Sequence, residues 1–277
     1  MRHGSYRFVA GFLAIPVALY LIFVIVPVGQ AFFYSLTNWT GDSGKFDFIG
    51  LKNFKTLVRD VTFRTALGHN LSLLILVPVI VIFLALLFAY LLKVGVRGNR
   101  FYKPVFFLPQ VLSVPVVAVI WSEVFASTRN GLANPKVALY CVMWVLIWGS
   151  VGFYLVMFDA AVSRIPKDIF DAATIDGATP STAFFRITLP LLRDTIRIAW
   201  AYLAILALDV YALVAVMTAG PGGPENATQV VPLQIADLGF KFGRSGYASA
   251  MGVVLFLLTL VVAAVMLRAT RRERIEY

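Results

Sequence analysis

Residues 71–92 read LSLLILVPVIVIFLALLFAYLL, without one charged side chain. An α-helix needs about 20 mainly apolar residues to cross the hydrocarbon core of a bilayer. In lipid every backbone amide and carbonyl must be paired within the protein, so such a run is a helix. A transmembrane β-barrel would show strands of about 10 residues with alternating polarity, a pattern this sequence lacks. Pro78 lies inside the run and predicts a kink, which membrane helices tolerate when neighbours satisfy the freed carbonyl.

Five more stretches share this character: 8–33, 104–125, 137–158, 196–218 and 249–267. The expected fold is therefore an all-α integral membrane protein with six transmembrane helices in a single domain, 1–277. Pro16, Pro27 and Pro115 also fall inside spans and predict further kinks. The first run is too long for a signal-peptide core and no small-residue cleavage site follows promptly, so it reads as an uncleaved first span. The whole composition agrees. Of 277 residues, 60% are apolar and 14% charged, against about half and about a quarter in soluble domains. Disorder is excluded.

The net charge of +10 does not point to nucleic acid, because the basic residues sit in short clusters between apolar runs. One set of segments holds Arg2 and Arg7; Lys93, Arg97, Arg100 and Lys103; Arg164, Lys167, Arg186, Arg193 and Arg197; and Arg268, Arg271, Arg272 and Arg274. The other holds Lys45, Lys52, Lys55, Arg59, Arg64, Arg129, Lys136, Lys241 and Arg244. The first set is denser and should be cytoplasmic, which puts both termini inside. Cys141 is the one cysteine, so a disulfide framework is impossible. His3 and His69 lie far apart, with no metal-ligand cluster, and no H-E-x-x-H or G-x-S-x-G pattern supports an intramembrane enzyme.

Two connections are too long for simple turns: the external 219–248, which opens AGPGGP, and the cytoplasmic 159–195. From Ser163 the latter reads SRIPKDIFDAATIDGATPSTAFFRITLP. Pro166 suits the first turn of a short helix, and Asp168 suits its positive end. Ile169, Phe170, Ala172, Ala173 and Ile175 follow with near-helical spacing. Gly177 is a natural stop. Thr179 can cap a second short helix opened by Pro180 and ended by Leu189-Pro190. The result is a helix–turn–helix elbow outside the lipid. It either docks in a partner's groove or lies on the headgroups.

Asp171-Ala172-Ala173, then Gly177, then Ile187-Thr188-Leu189-Pro190 resemble, in type and spacing, the "EAA" signature of permease subunits of bacterial binding-protein-dependent ABC importers. Asp176-Gly177-Ala178 strengthens the match. Asp171 departs from the family's usual Glu, and Asp159 stands where relatives tend to be apolar or small. Other segments resemble the carbohydrate branch, the maltose and glycerol-phosphate type. They are Phe48-Ile49-Gly50-Leu51-Lys52-Asn53-Phe54, Phe107-Leu108-Pro109 with Val117-Ala118-Val119-Ile120-Trp121, and 218–224 with 246–251. The resemblance implies that Asp171, Ala172, Ala173, Asp176, Gly177 and Ala178 form a coupling helix seated on a separate ATPase subunit. Two ATPase copies would carry ATP and Mg, with no cofactor in this chain. A second permease subunit, of a different chain, and an extracytoplasmic solute-binding protein would complete the importer in the bacterial cytoplasmic membrane. The solute would be a sugar. The chain itself has no G-x-x-x-x-G-K-[ST] loop, so ATP-driven work must come from a partner.

Within the spans, Asp209 is a carboxylate in an apolar run, and Tyr202 lies seven residues earlier on roughly the same face. The pair would suit a sugar's hydroxyls and ring; the alternative is a hydrogen bond locking two helices. Tyr140, Trp144 and Trp148 form a stripe, either lining the pathway or anchoring at the interface. Trp121 and Glu123 suit a gate, a docking point or a wetted interfacial pair. Asn38, Asn70 and Asn226 open glycosylation-type triplets that read as chance. Two other transport readings stay open: an ATP-independent secondary transporter and an ABC permease for a non-sugar solute.

Overall fold

The computed structural model describes residues 3–42, 44–94, 99–126, 131–218, 220 and 222–270. Arg2, Arg97, Arg129, Ala219, Pro221, Arg271, Arg272 and Arg274 lie outside the described residues. The described chain is helical, and its one β feature is an isolated bridge between Thr37 and Phe48. Four helices are long and apolar enough to cross a membrane: Gly11–Tyr34, Val61–Lys93, Ala138–Ser163 and Ser245–Met266. Two bent pairs, Phe101–Val111 with Val114–Ala126 and Arg193–Leu208 with Tyr211–Met217, are long and apolar enough when each pair is taken together.

The chain divides into two compact units, residues 1–61 with 234–257 and residues 62–233 with 258–277. In the first, α1 (His3–Tyr20) continues through a π-turn at Leu21–Ile25 into α2 (Val26–Tyr34). The π-turn lies between Pro16 and Pro27, where two missing backbone donors weaken the regular ladder. None of the residues Gly11–Tyr34 is buried. The short α3 (Lys52–Arg59) is pinned to the end of α2 because the Asn53 amide donates to the carbonyls of Ser35 and Thr37, at 2.9 and 2.8 Å. Gly246 donates to the Trp39 carbonyl at 2.7 Å, and a Cβ there would collide with the Thr37 carbonyl.

In the second unit, α4 (Val61–Val94) runs unbroken through Pro78. Leu73, Val77, Val81, Ala85 and Ala89 recur every four residues and are fully buried. Ile75, Val79 and Phe83 are exposed on the other side. This is the stripe that a membrane helix packed on one face requires.

The third apolar stretch departs from a simple span. It breaks at Leu112-Ser113 into α5 (Asn99–Val111) and α6 (Val114–Ala126), bent by 99°. Pro104, Pro109 and Pro115 each remove a donor and crowd the preceding turn, so the ladder fails where the last two flank it. Helix α5 packs on α7 (Ala138–Ser163), with Gly152 under the Phe106 carbonyl so closely that a Cβ would overlap it. Asp159, the unusual acid, pairs there with Lys103 at 2.6 Å.

After α7 come α8 (Lys167–Ile175), α9 (Pro180–Ala183), a π-turn at Phe184–Thr188 and α10 (Leu189–Leu191). The second elbow helix therefore does not end at Leu189-Pro190, as expected. Pro190 sits near the start of the next turn, where its missing amide is tolerated, and the chain breaks at Leu192 instead.

The fifth stretch is also broken. α11 (Arg193–Leu208) and α12 (Tyr211–Met217) meet at 47° across Asp209-Val210. The long connection beyond is not a plain surface loop. After a 3₁₀ turn at Pro224–Asn226, residues Thr228, Gln229, Val230 and Val231 are buried. The chain then forms α13 (Val231–Ala236), a π-turn at Asp237–Lys241 and α14 (Ser245–Thr270).

Candidate functional site

Two regions carry the residues singled out in the sequence. The first is the elbow. Pro166 has extended ψ and is the residue before α8, one place earlier than the first turn. Asp168 lies in that first turn, against the positive end of the helix. At the other end Gly177 adopts φ +77°. The Ala178 amide donates to the Ala173 carbonyl at 2.8 Å and the Gly177 amide to the Thr174 carbonyl at 3.1 Å. This pair of bonds is a Schellman stop, which closes the helix on its own carbonyls. The Thr179 hydroxyl then accepts from the Thr182 amide at 3.3 Å and caps the next helix.

The elbow is held from α4. The Lys93 ammonium lies 4.0 Å from the centre of the Phe170 ring and donates to the Val162 carbonyl at 2.9 Å. The Tyr90 hydroxyl donates to the Pro180 carbonyl at 2.8 Å. These anchors sit on the inner side of the elbow. Outward, Ile169, Asp171, Ala172, Asp176 and Gly177 are exposed, and Ile175 is 87% exposed; Ala173 and Ala178 are half-buried. Among the described residues neither Asp171 nor Asp176 makes an ion pair. Of the six residues singled out in the elbow, Asp171, Ala172 and Ala173 lie on α8, and Asp176, Gly177 and Ala178 lie in the turn that closes it.

The second region lies at the two helix breaks. A cavity of about 270 Å³ is lined by Gln110, Ser113 and Val117 beside the first break, Gly149 and Ser150 on α7, and Leu206 and Leu213 either side of the second. Asp209 is exposed at that second break. Its carboxylate has no hydrogen-bond or ion-pair partner among the described residues. Tyr202, also exposed, lines a different apolar cavity of about 420 Å³ between α11 and the end of α14, with Arg197 and Thr259. Trp144 and Trp148 do not line either cavity. Both pack edge-on against Trp121, at 6.5 and 5.4 Å between centroids, and Trp121 stacks on Phe125.

Asn70 is the polar residue whose importance the sequence did not reveal. It is fully buried on α4. Its amide donates to the Ala207 carbonyl at 3.2 Å, and its carbonyl accepts from the Val231 amide at 2.8 Å. The neighbouring His69 ring nitrogen lies 2.7 Å from the Gln229 carbonyl. The only signal available was an amide at the edge of an apolar run.

Comparison with known proteins places this architecture. Residues 81–275 match the family model described as binding-protein-dependent transport system inner membrane component. The diacetylchitobiose uptake system permease protein NgcF of Streptomyces coelicolor is 36% identical, over 95% of this chain and 82% of that protein. The multiple sugar-binding transport system permease protein MsmF of Streptococcus mutans is 31% identical, over 94% of each chain. In three dimensions the chain resembles a bacterial ABC transporter involved in the import of the acidic polysaccharide alginate. The TM-score is 0.81, over 98% of this chain and 97% of that one, at 20% identity. A helical chain with several membrane-crossing segments, matched over most of its length in this way, belongs to the family of inner membrane components of binding-protein-dependent transport systems.

Proposed function

We propose that this chain is one permease half of an ATP-driven importer, moving a saccharide from an external binding protein into the cytoplasm by alternating access. The observation that carries this is the elbow. A helix anchored on its inner side by Lys93 and Tyr90, stopped by Gly177, and exposing Ile169, Ala172 and Ile175 fits a groove on a partner. That partner would be an ATPase, present in two copies and carrying ATP and Mg. Cycles of nucleotide-driven closure would move the elbow, and through its anchors α4 and α7. The named relatives support a sugar as cargo.

In this reading each bent pair is one span, giving six in a single permease domain, 1–277, with both termini cytoplasmic. The exposed first span meets lipid and a second, different permease chain. The cavity at the two breaks offers the solute a subsite, with Asp209, Tyr202, Trp144 and Trp148 as pathway candidates. No covalent chemistry falls to this chain. The test is uptake of labelled saccharides by proteoliposomes holding both permeases, the ATPases and the binding protein. ATP-dependent uptake is expected. Uptake that continues with the ATPases left out would establish a secondary transporter instead.

A further inference from the structure

The lining of the cavity at the two helix breaks bears on the solute's charge. The cavity's polar lining consists of neutral groups: the Gln110 amide and the hydroxyls of Ser113 and Ser150, with the remainder apolar or backbone. No Lys or Arg is among its lining residues. Asp209 falls in the chain between Leu206 and Leu213, both of which line the cavity. Its carboxylate is exposed, and no cation among the described residues neutralises it.

In surroundings of reduced dielectric constant a carboxylate three residues along the chain from one lining side chain and four from another acts on a charge entering the cavity. A phosphate or uronate there would meet repulsion without a counter-ion. The hydroxyls of an uncharged sugar can instead donate to Gln110 and exchange hydrogen bonds with Ser113 and Ser150, and they present no charge for Asp209 to repel. The amino end of α6 points the other way electrically, since Val114 also lines the cavity. Its effect is that of about half a charge, and Pro115 deprives it of one donor.

We infer that Asp209 sets the charge selectivity of the carrier, admitting uncharged saccharides and excluding anionic ones. This rests on the saccharide-importer reading above and narrows it, because carriers of this architecture also serve acidic polysaccharide.

The cavity's electrostatic preference can be read without knowing the solute. Cys141 is the one cysteine and is buried, so a cysteine placed at Ser113 or Ser150 reports on the cavity alone in this chain. In the assembled importer, S113C and S150C are labelled with small cationic and anionic methanethiosulfonates. Rates are normalised to a free small thiol. The cationic reagent should be favoured on the order of tenfold, as a nearby carboxylate of this kind predicts. The preference should collapse when D209N is added. A ratio near one, a ratio indifferent to D209N, or no labelling at either position would overturn the inference. So would wild-type uptake of a uronic acid oligosaccharide as fast as its neutral counterpart. Labelling needs no ATP, so the ATP-driven reading can fail by its own uptake test while this one stands, and the converse holds too.

Discussion

Asn70 donates its side-chain amide to the carbonyl of Ala207 at 3.2 Å, and so occupies the acceptor that the break at Asp209 sets free. In an unbroken helix that carbonyl would take the amide of Tyr211. The other end of the same side chain accepts from Val231. One residue on α4 therefore satisfies both a broken helix and the buried return of the chain, and it does so at a site closed to water. Replacing Asn70 with Leu, of similar volume, leaves a donor and an acceptor unmatched. Each costs about 1–3 kcal/mol when buried. Thermal unfolding of the detergent-purified importer should move to clearly lower temperature. Uptake should fall with it, whereas the distant elbow contacts are untouched. An unshifted midpoint would mean that water or relaxation replaces both bonds.

Gly177 offers a test of the elbow. Its φ of +77° lies in the left-handed region, and a Cβ there would meet nothing within 4 Å. Any loss on substitution is then backbone strain, not collision. A β-branched residue is the worst occupant, at a cost of about 1–3 kcal/mol. Asn tolerates the conformation well. Gly177→Val should keep membrane insertion and ATPase activity but lose most solute uptake; Gly177→Asn should retain most of it. Equal uptake by both variants and the wild type would remove the elbow from the coupling route.

How far the sequence could be read follows from what hydropathy senses. The apolar run 71–92 and the stop at Gly177 are local patterns, and both were legible; which face of that run is buried was not, because apolar residues occupy every side of it. The breaks at Ser113 and Asp209 were not. An apolar stretch averages the same whether its backbone is straight or bent, and Pro115 predicted a kink in the third stretch without fixing its angle. Asp209 was visible as an anomaly, but its place at a break depends on Asn70, 139 residues earlier, supplying the lost bond. The buried run from Thr228 to Val231 was hidden for the same reason: its burial rests on contacts far away in sequence.

Asp159 and Lys103 make a pair whose worth can be measured. Their nitrogen and oxygen are 2.6 Å apart, but the side chains remain 20% and 38% exposed. Solvent screening limits such a pair to about 1 kcal/mol or less. Lys103→Ala and Asp159→Ala should each lower stability modestly. The double variant should lose less than the sum, with a coupling of that size in a double-mutant cycle. The reversed pair, Lys103→Asp with Asp159→Lys, should recover part of the loss. Strict additivity would show that the contact contributes nothing to the α5–α7 interface.

The stronger constraint on that interface is steric. Gly152 lies against the Phe106 carbonyl, and even a methyl group would overlap backbone, which cannot swing aside as a flexible side chain does. Close backbone approach through small residues is how membrane helices associate where no hydrophobic effect drives them together. Gly152→Ala must therefore push α5 away from α7, stretching Lys103 from Asp159. The expected penalty is that of overpacking, about 1–3 kcal/mol. It should exceed the loss from Lys103→Ala, measured as unfolding midpoint on the same preparation. Because α5 leads into the 99° bend that lines the cavity, uptake should also decline in Gly152→Ala. If Gly152→Ala matched the wild type in both midpoint and uptake, the close approach of α5 to α7 would not be what holds the bend in place.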